Sequence, residues 1–476
     1  MAIIATFDLG TTAIKCVVLD ENQKQIFSGK EELSTANSGL FIEQDPEEWW
    51  AKFIALTKRF DAPMVDYLIF SGQMQDLILL DKGGNLLRPA ILYNDQRAGD
   101  FVTQISKSIS ERTSISMNGS IPLAKLLWLK KNEPKAYART AHILISAKDY
   151  LLFRLTGVFA SDVTSMATSG MMDILSKKYV PGLDELINPI ILPDIHYADE
   201  QIGKVTALAS KETGFSQRTD VFAGSGDAGA TTLASGIVNL GELNINLGTS
   251  GWIATISDSV FPGVFNLAAI NRDRFINVIP ILNAASVHKW LANMLYPDEK
   301  SKYDLLHELL SKDEHLSQDL LCLPYLVGER FPVSDSKIRG AYVGLDSKTA
   351  KADLARSALE GVAFSLRKGL EHLNIQAKVI SLIGGGAAEP VWCQIFSDVF
   401  NSRVVVYGNS DVLPSMALAS VVLVKTGRIA SYSEFITSIL SRQPNEQYTP
   451  NPASVAHYNA LYQRFLPLYP TISKLD

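Results

Sequence analysis

The stretch AIIATFDLGTTAIKCVVLD, residues 2–20, joins two apolar runs through the short segment Asp8-Leu9-Gly10-Thr11-Thr12. The runs 2–8 and 13–20 have the β-rich composition of strands, and the residues between them have the chemistry of a turn. A third β-rich run, 24–32, follows after a second turn. The sequence therefore predicts that the chain begins with three strands, the first two joined at Gly10.

A helix and another strand follow this start. Asp45 is suited to cap a helix, and Pro46 fits its first position because proline needs no amide partner there. The run 65–72 then has the composition of a buried strand. Strands, a crossover helix and a further strand indicate an α/β fold.

The same pattern returns in the second half of the chain. Residues 243–257 again predict two strands around a turn, here Asn246-Leu247-Gly248-Thr249-Ser250. Asn246 follows Asp8 by 238 residues, half of the 476-residue chain. Five residues can match by chance, so the flanking strands carry the inference of a repeat. We expect two related domains, residues 1–238 and 239–476.

The composition is that of a folded chain with no affinity for nucleic acid. Hydrophobic residues make up 47%, charged residues 20%, and the net charge is −6. The apolar share excludes a disordered chain, and the acidic balance gives no electrostatic footprint for nucleic acid. Three scattered cysteines, no apolar run of membrane-spanning length and no basic n-region favour a cytoplasmic protein without signal peptide or membrane span.

The glycine-threonine turns have the composition of phosphate-binding loops. Gly10 permits close approach of the backbone, and the hydroxyls of Thr11 and Thr12 can hold phosphate oxygens. Asp8 is placed to hold Mg²⁺ through water. An ordinary hairpin turn is the alternative. A third segment, Gly384-Gly385-Gly386-Ala387, can carry a flat ring or a phosphate, or serve only as a strand-to-helix turn.

Asp227 follows two glycines, in Gly224-Ser225-Gly226-Asp227, and precedes an expected helix. A carboxylate in this position can accept the proton of an attacking hydroxyl, as phosphoryl transfer requires. It can equally be a helix N-cap, which base rates favour before other observations are considered. The residues alone leave both interpretations open.

Polar residues end the strand 65–72. Gln73, Met74 and Gln75 follow it directly, and amide groups at strand ends suit the hydroxyls of a polyol. Met74 is also an ordinary core residue.

With these motifs the chain resembles the FGGY family of carbohydrate kinases over nearly its full length. The run 120–132, SIPLAKLLWLKKN, fits one family signature; 340–345, GAYVGL, followed by 353–360, DLARSALE, fits the other. The resemblance implies two actin-like, ribonuclease H-like domains with an ATP–Mg²⁺ cleft between them. It implies that Asp227 is the base on the sugar hydroxyl and that Asp8 and Asp227 serve the metal. The nucleotide residues that it implies are Gly10, Thr11, Thr12, Lys15, Gly248, Thr249, Ser250, Gly385, Gly386 and Ala387.

Within the family, several segments resemble the branch that phosphorylates D-xylulose, among them 43–46, EQDP, and 71–74, SGQM. That resemblance implies conversion of D-xylulose to D-xylulose 5-phosphate, with Gln73, Met74, Gln75, Asp227 and Ala228 around the sugar. Two residues depart from the branch: Gln75 stands where histidine is usual, and Ala228 where asparagine is usual. Losing a carboxamide costs about 0.5–1.5 kcal/mol or admits another substrate, so another ketopentose, a polyol or gluconate stays open.

Two functions outside sugar phosphorylation compete. A chaperone-like actin-fold ATPase would need a peptide-binding domain after the second half, for which we expect no room. A sugar sensor without catalysis is disfavoured because Asp8, Asp227 and both glycine-threonine loops are retained. The sequence leaves the oligomeric state open, a homodimer included.

Overall fold

The computed structural model describes residues 1–248, 251–312, 320–408 and 412–474. The chain forms two compact units. One comprises Met1–Val238, Ser257–Ile276 and Ser410–Arg442, and the other Asn239–Ile256, Asn277–Asn409 and Gln443–Asp476.

The strands that the structure describes are numbered in chain order. They are β1 Ile3–Leu9, β2 Ala13–Asp20, β3 Gln25–Glu32, β4 Ala36–Ser38, β5 Phe41–Gln44, β6 Tyr67–Gly72, β7 Ile78–Leu80, β8 Ala90–Ile91, β9 His142–Leu144, β10 Ala160–Asp162, β11 Asp194–His196, β12 Gln201–Lys204, β13 Asp220–Phe222, β14 Ser225–Gly226, β15 Glu242–Asn246, β16 Gly251–Ser257, β17 Phe265–Ala268, β18 Phe275–Ile281, β19 Leu321–Leu323, β20 Ala341–Val343, β21 Val379–Ile383, β22 Arg403–Tyr407 and β23 Asn445–Tyr448.

The α-helices are numbered in the same way. They are α1 Pro46–Thr57, α2 Lys107–Thr113, α3 Pro122–Asn132, α4 Pro134–Arg139, α5 Ala147–Thr156, α6 Val163–Met166, α7 Ala207–Thr213, α8 Asp227–Ala234, α9 Ala285–Leu295, α10 Lys302–Lys312, α11 Lys351–His372, α12 Pro390–Phe400, α13 Leu413–Lys425, α14 Tyr432–Ser441, α15 Pro452–Phe465 and α16 Leu468–Ile472.

The first unit is built on a mixed sheet in the order β12-β13-β6-β1-β2-β3, with β14 paired to the end of β6. β1 pairs antiparallel with β2 and parallel with β6, so the predicted three-strand start and the strand after α1 are confirmed. α1 begins as predicted: the carboxylate of Asp45 accepts from the amide of Glu47 at 3.0 Å.

An aromatic core fixes the strand ends of the first unit. Phe7 of β1, Phe53 of α1 and Phe70 of β6 are fully buried, and the ring of Phe7 lies 4.6 Å from that of Phe53 and 5.6 Å from that of Phe70. Burying each such side chain contributes about 1.5–3 kcal/mol, so the core holds β1 and β6 rigidly side by side. Their carboxyl ends carry the first glycine-threonine loop and the 71–75 segment.

The second unit has its own sheet, in which β18, β16, β15, β21, β22 and β23 are neighbours in that order. β15 pairs antiparallel with β16 and parallel with β21, which repeats the arrangement of β1, β2 and β6. β21 ends at Ile383, because the glycines that follow it form a 3₁₀ turn at Gly385–Ala388.

The two units are not the contiguous halves 1–238 and 239–476. Residues 257–276 and 410–442 cluster with the first unit, although they follow residue 238 in the sequence. The reason is visible at α13, whose apolar residues pack against β1, β6 and α8. Proximity along the chain could not show this contact.

None of the helices among the described residues combines the length and apolar character that a membrane crossing requires. All three cysteines are buried and free.

Candidate active site

Asp8 lies next to the end of β1, between two strands that set its surroundings. Its register partners are Ser71 on β6 and Lys15 on β2. The hydroxyl of Ser71 donates a 2.7 Å hydrogen bond to Oδ1 of Asp8. Burial raises the pKa of Asp8, while the Ser71 hydrogen bond and the charge of Lys15 oppose that rise. Asp8 is therefore a carboxylate held in a fixed orientation.

Asp227 is the first residue of α8, half-buried at the amino end of that helix. The N-cap position is taken by Gly226, so Asp227 does not act as the cap that base rates favoured. β14 pairs with β6, which places Gly226 beside Gly72. Burial raises the pKa of Asp227 to about 7, and the charge of nearby Asp8 adds to the rise.

The two carboxylates therefore lie close enough to repel each other. Repulsion of this kind is relieved by a proton or by a cation, and oxygen ligands of this type suit Mg²⁺. Asp8 and Asp227 fit a divalent cation in this respect. Within the described ranges no group of three or more acidic, histidine or cysteine side chains could hold a metal ion. Other ligands of a cation here would have to come from substrate or water.

The first glycine-threonine loop is tied down by a chain of amides. The amide of Gly10 donates to the carbonyl of Ala13 at 3.1 Å and closes the turn. The hydroxyl of Thr11 donates to Oε1 of Gln73 at 2.9 Å. Nε2 of Gln44 donates to the carbonyl of Thr11 at 2.7 Å, and Oε1 of Gln44 accepts from Nε2 of Gln73 at 3.2 Å. Gln73 therefore supports the loop.

This differs from the direct sugar contact predicted for Gln73, whose side chain is buried and already engaged. Thr12 is exposed at the tip of the loop, and Lys15 is half-buried beside Asp8. Gln44 is a further residue of this site, and in the sequence only its place in the 43–46 segment marks it.

Of the remaining predicted sugar residues, Met74 and Ala228 lie near Asp227. Met74 packs against Gly226, where an added Cβ would stand 2.2 Å from the methionine sulfur. Gln75 has a left-handed backbone, with φ of 62°, and its Nε2 donates to the carbonyl of Thr168 at 3.2 Å. Ala228 is half-buried, one residue after Asp227. The structure thus brings Met74 and Gly226 into contact.

A buried ion cluster, missed in the sequence, supports the start of α8. Lys148 Nζ lies 2.7 Å from Oδ1 of Asp149 and 2.9 Å from Oδ2 of Asp162, and all three side chains are fully buried. Oδ1 of Asp162 accepts from the amide of Gly226 at 3.2 Å. Asp162 also raises the pKa of Asp227. No sequence motif marks these residues, and Asp162 is 64 residues away from the Gly226 amide that it accepts from.

A second buried charge lies under Gln75. Lys125 Nζ donates to the carbonyls of Gln75 at 2.7 Å and Leu92 at 2.6 Å. Burial lowers the pKa of Lys125 to about 7, although Asp76 and Asp95 oppose this. The carboxyl oxygens of Asp76 have no hydrogen-bond partner among the described residues, and burial raises its pKa well above the ordinary value. Lys125 could have been found through the 120–132 signature.

In the second unit, two predicted loops pack on each other. The amide of Leu247 donates to the carbonyl of Ile383 at 2.8 Å, and the amide of Gly386 donates to the carbonyl of Leu247 at 2.9 Å. Gly384 has φ of 89°, and a Cβ there would stand 2.7 Å from Oδ1 of Asn246. A glycine is required at this position. Thr249 and Ser250 lie outside the described residues.

These loops line a pocket of about 910 Å³. Its wall includes Gly248, Gly385 and Ala388, together with His288 of α9 and Glu389. Two predicted nucleotide residues do not face it: Gly386 and Ala387 are buried, and Gly386 packs against the ring of Trp392. Within the 384–387 segment, Gly385 is the residue that lines the pocket.

Comparison with known proteins identifies the class. Residues 3–234 match the N-terminal domain of the FGGY family of carbohydrate kinases, and residues 243–415 match its C-terminal domain. The chain belongs to the FGGY family. It is an enzyme with the two-domain, actin-like ATPase fold, a sugar kinase that acts on a small-molecule sugar. The family implies ATP as donor and usually a divalent metal.

Several individual proteins are similar to this chain over nearly its full length. The xylulose kinase of Bacillus subtilis (strain 168) is 28% identical, with 98% of this chain and 97% of the relative covered. The crystal structure of a xylulose kinase from Rhodospirillum rubrum superposes with a TM-score of 0.88 at 26% identity, covering 99% of both chains. That of a gluconate kinase from Lactobacillus acidophilus gives 0.83 at 26% identity over the whole of both chains.

Proposed function

We propose that this kinase transfers the γ-phosphoryl group of ATP to a hydroxyl of a ketopentose, with D-xylulose converted to D-xylulose 5-phosphate. The observation that carries the proposal is Asp227, a carboxylate at the start of α8 whose pKa is raised to about 7 beside Asp8. Such a group is a base near neutral pH. The xylulose kinases among the relatives support the choice of sugar.

Asp227 accepts the proton of the attacking hydroxyl as the phosphoryl group leaves ATP. A base is most effective when its pKa lies near the working pH, because it is then both deprotonated and able to take the proton. The pairing of β14 with β6 and the bond from Gly226 to Asp162 fix the backbone from which this carboxylate projects.

Asp8 and Asp227 would hold Mg²⁺, which when bound would supply positive charge to the phosphoryl oxygens. Asp8 is oriented for this by Ser71, which occupies its Oδ1. The hydroxyl of Thr12 holds phosphate oxygens, whereas the amide of Gly10 and the hydroxyl of Thr11 already donate within the loop, to Ala13 and Gln73. Phosphate binding by Lys15, Thr249 and Ser250 stays a prediction. A homodimer and a cytoplasmic location also stay predictions.

We assign the sugar and transfer residues to the first unit and the adenosine pocket to the second. Met74, Gln75 and Ala228 surround the sugar, with Gln73 acting through Thr11. Gln75 and Ala228 leave gluconate as the second candidate, which the structural likeness to a gluconate kinase supports. Another ketopentose and a polyol are the remaining candidate substrates.

The test is ADP release from the purified protein with a panel of pentuloses, hexuloses, polyols and gluconate. We expect D-xylulose to give the highest kcat/KM. A higher kcat/KM for gluconate would show that gluconate is the substrate and would leave the assignment as a sugar kinase standing. ADP release that does not depend on any sugar would contradict the proposal, and so would no release at all. Gln75→His with Ala228→Asn, which restores the branch residues, should raise kcat/KM for D-xylulose.

A further inference from the structure

Lys125 of α3 reaches two segments that follow different strands. Its Nζ donates to the carbonyl of Gln75, in the segment after β6, at 2.7 Å, and to the carbonyl of Leu92, directly after β8, at 2.6 Å. Lys125 is fully buried, so its side chain cannot touch a substrate. Any effect of Lys125 on the reaction must therefore pass through the backbone that it holds.

Gln75 has a backbone conformation that side chains disfavour. Its φ is 62°, in the left-handed region, where a residue with a side chain is strained and stays only if its surroundings enforce it. Two bonds enforce it here. The ammonium of Lys125 holds the carbonyl of Gln75, and the next amide, that of Asp76, donates to the carbonyl of Ile145 at 3.0 Å. Strained residues of this kind are concentrated at binding and active sites.

The backbone of Gln75 sets the direction of its side chain. The side chain is half-buried, and its Nε2 donates to the carbonyl of Thr168 at 3.2 Å, which leaves Oε1 to accept from a sugar hydroxyl. A right-handed or extended backbone at Gln75 would carry the side chain away from Thr168. It would also displace the preceding Met74, which packs against Gly226 next to Asp227.

We propose that Lys125 is a positioning residue for the sugar: its ammonium fixes the left-handed backbone of Gln75 and thereby orients that side chain towards a sugar hydroxyl. The assignment rests on the proposed function, because it presumes that Gln75 lies at the sugar. A charged donor suits this role, since hydrogen bonds from charged groups are about twice as strong as neutral ones. Burial lowers the pKa of Lys125, whereas the carboxyl groups of Asp76 and Asp95 raise it and favour the charged form.

The first test removes the ammonium and compares two kinetic constants. Lys125→Met keeps an aliphatic stem and lacks the donors. With D-xylulose and gluconate as probes, we expect the sugar KM, and the sugar Kd measured by calorimetry without ATP, to rise about five- to 20-fold, with the KM for ATP within about twofold of the wild type. A merely structural role would lower the active fraction, and therefore kcat, with both KM values unchanged. That result would overturn the proposal.

Lys130→Met is the matched control. Lys130 lies on the same helix and also donates to a carbonyl, that of Leu186 at 2.9 Å, but it is exposed. Its replacement should leave both KM values unchanged. Lys125→Gln, which keeps an uncharged donor, serves if Lys125→Met does not fold. Its sugar KM should rise by a smaller factor, and an unchanged sugar KM would overturn the proposal.

A double-mutant cycle tests whether Lys125 acts through Gln75. Gln75→Gly adopts the left-handed backbone without strain and has no side chain to orient. In that background we expect Lys125→Met to raise the sugar Kd less than about twofold; two effects that multiply in the double variant would overturn the proposal. Wild-type protein that binds sugar without releasing ADP would count against the proposed function, and the cycle in Kd would still decide the role of Lys125.

Discussion

The hydroxyl of Ser71 donates a 2.7 Å hydrogen bond to Oδ1 of Asp8, across two strands that pair in parallel with these residues in register. The bond lowers the pKa of Asp8 against the effect of burial. If Asp8 serves Mg²⁺, Ser71→Ala should weaken it as a ligand. We expect the Mg²⁺ concentration for half-maximal rate to rise about tenfold.

A magnesium titration of the initial rate measures this. Ser28→Ala, on the exposed face of β3, is the matched control and should leave the titration unchanged. An unaltered magnesium requirement in Ser71→Ala would show that Asp8 does not need this bond.

The pH dependence follows from Asp227. Its pKa is raised to about 7 by burial and by the charge of Asp8, and only the ionised form accepts a proton. Therefore kcat/KM for the sugar should fall as the pH drops below about 7 and level off above it. Because a bound cation favours the ionised carboxylate, more Mg²⁺ should move this limb to lower pH. Rates measured from pH 5 to 9 check both; a flat profile down to pH 5 would exclude Asp227 as a base with a raised pKa.

Variants of Gln73 and Gln75 should affect different kinetic constants, the KM for ATP and the KM for sugar respectively. The side-chain oxygen Oε1 of Gln73 accepts a hydrogen bond from the hydroxyl of Thr11, so Gln73→Leu loosens the first glycine-threonine loop. We expect its KM for ATP to rise about three- to tenfold, with a smaller change in the KM for sugar. Gln75→Leu should show the reverse. If Gln73→Leu instead raised only the KM for sugar, the direct contact predicted from the sequence would be restored.

Much of the fold could be predicted because its signals are local. The apolar runs of β1, β2 and β6 and the cap at Asp45 depend on neighbours within a few residues. The repeat of β1–β2 as β15–β16 followed from the two turns. The packing of α13 with the first unit could not be predicted, because it joins segments that are far apart in the chain.

The site shows the same division. Asp8 and Asp227 were found from their motifs, whereas their supports come from distant parts of the chain, Ser71 for Asp8 and Asp162 for Gly226. Whether Asp227 is an N-cap or a free carboxylate depends on the exact residue at which α8 begins, which only the structure shows. Gln73 was assigned to the sugar because strand-end amides suit hydroxyls, and only the structure shows that Thr11 engages its side chain.

The most direct test of the central claim compares ADP release by the wild type and by Asp227→Asn with saturating D-xylulose and ATP at pH 8. We expect the variant to lose at least about 10³-fold in kcat, with the Kd for ADP unchanged. Its thermal midpoint should be equal or higher, because an ionised carboxylate with a raised pKa destabilises the folded state above pH 7. Turnover by Asp227→Asn at a rate like that of the wild type would contradict the account.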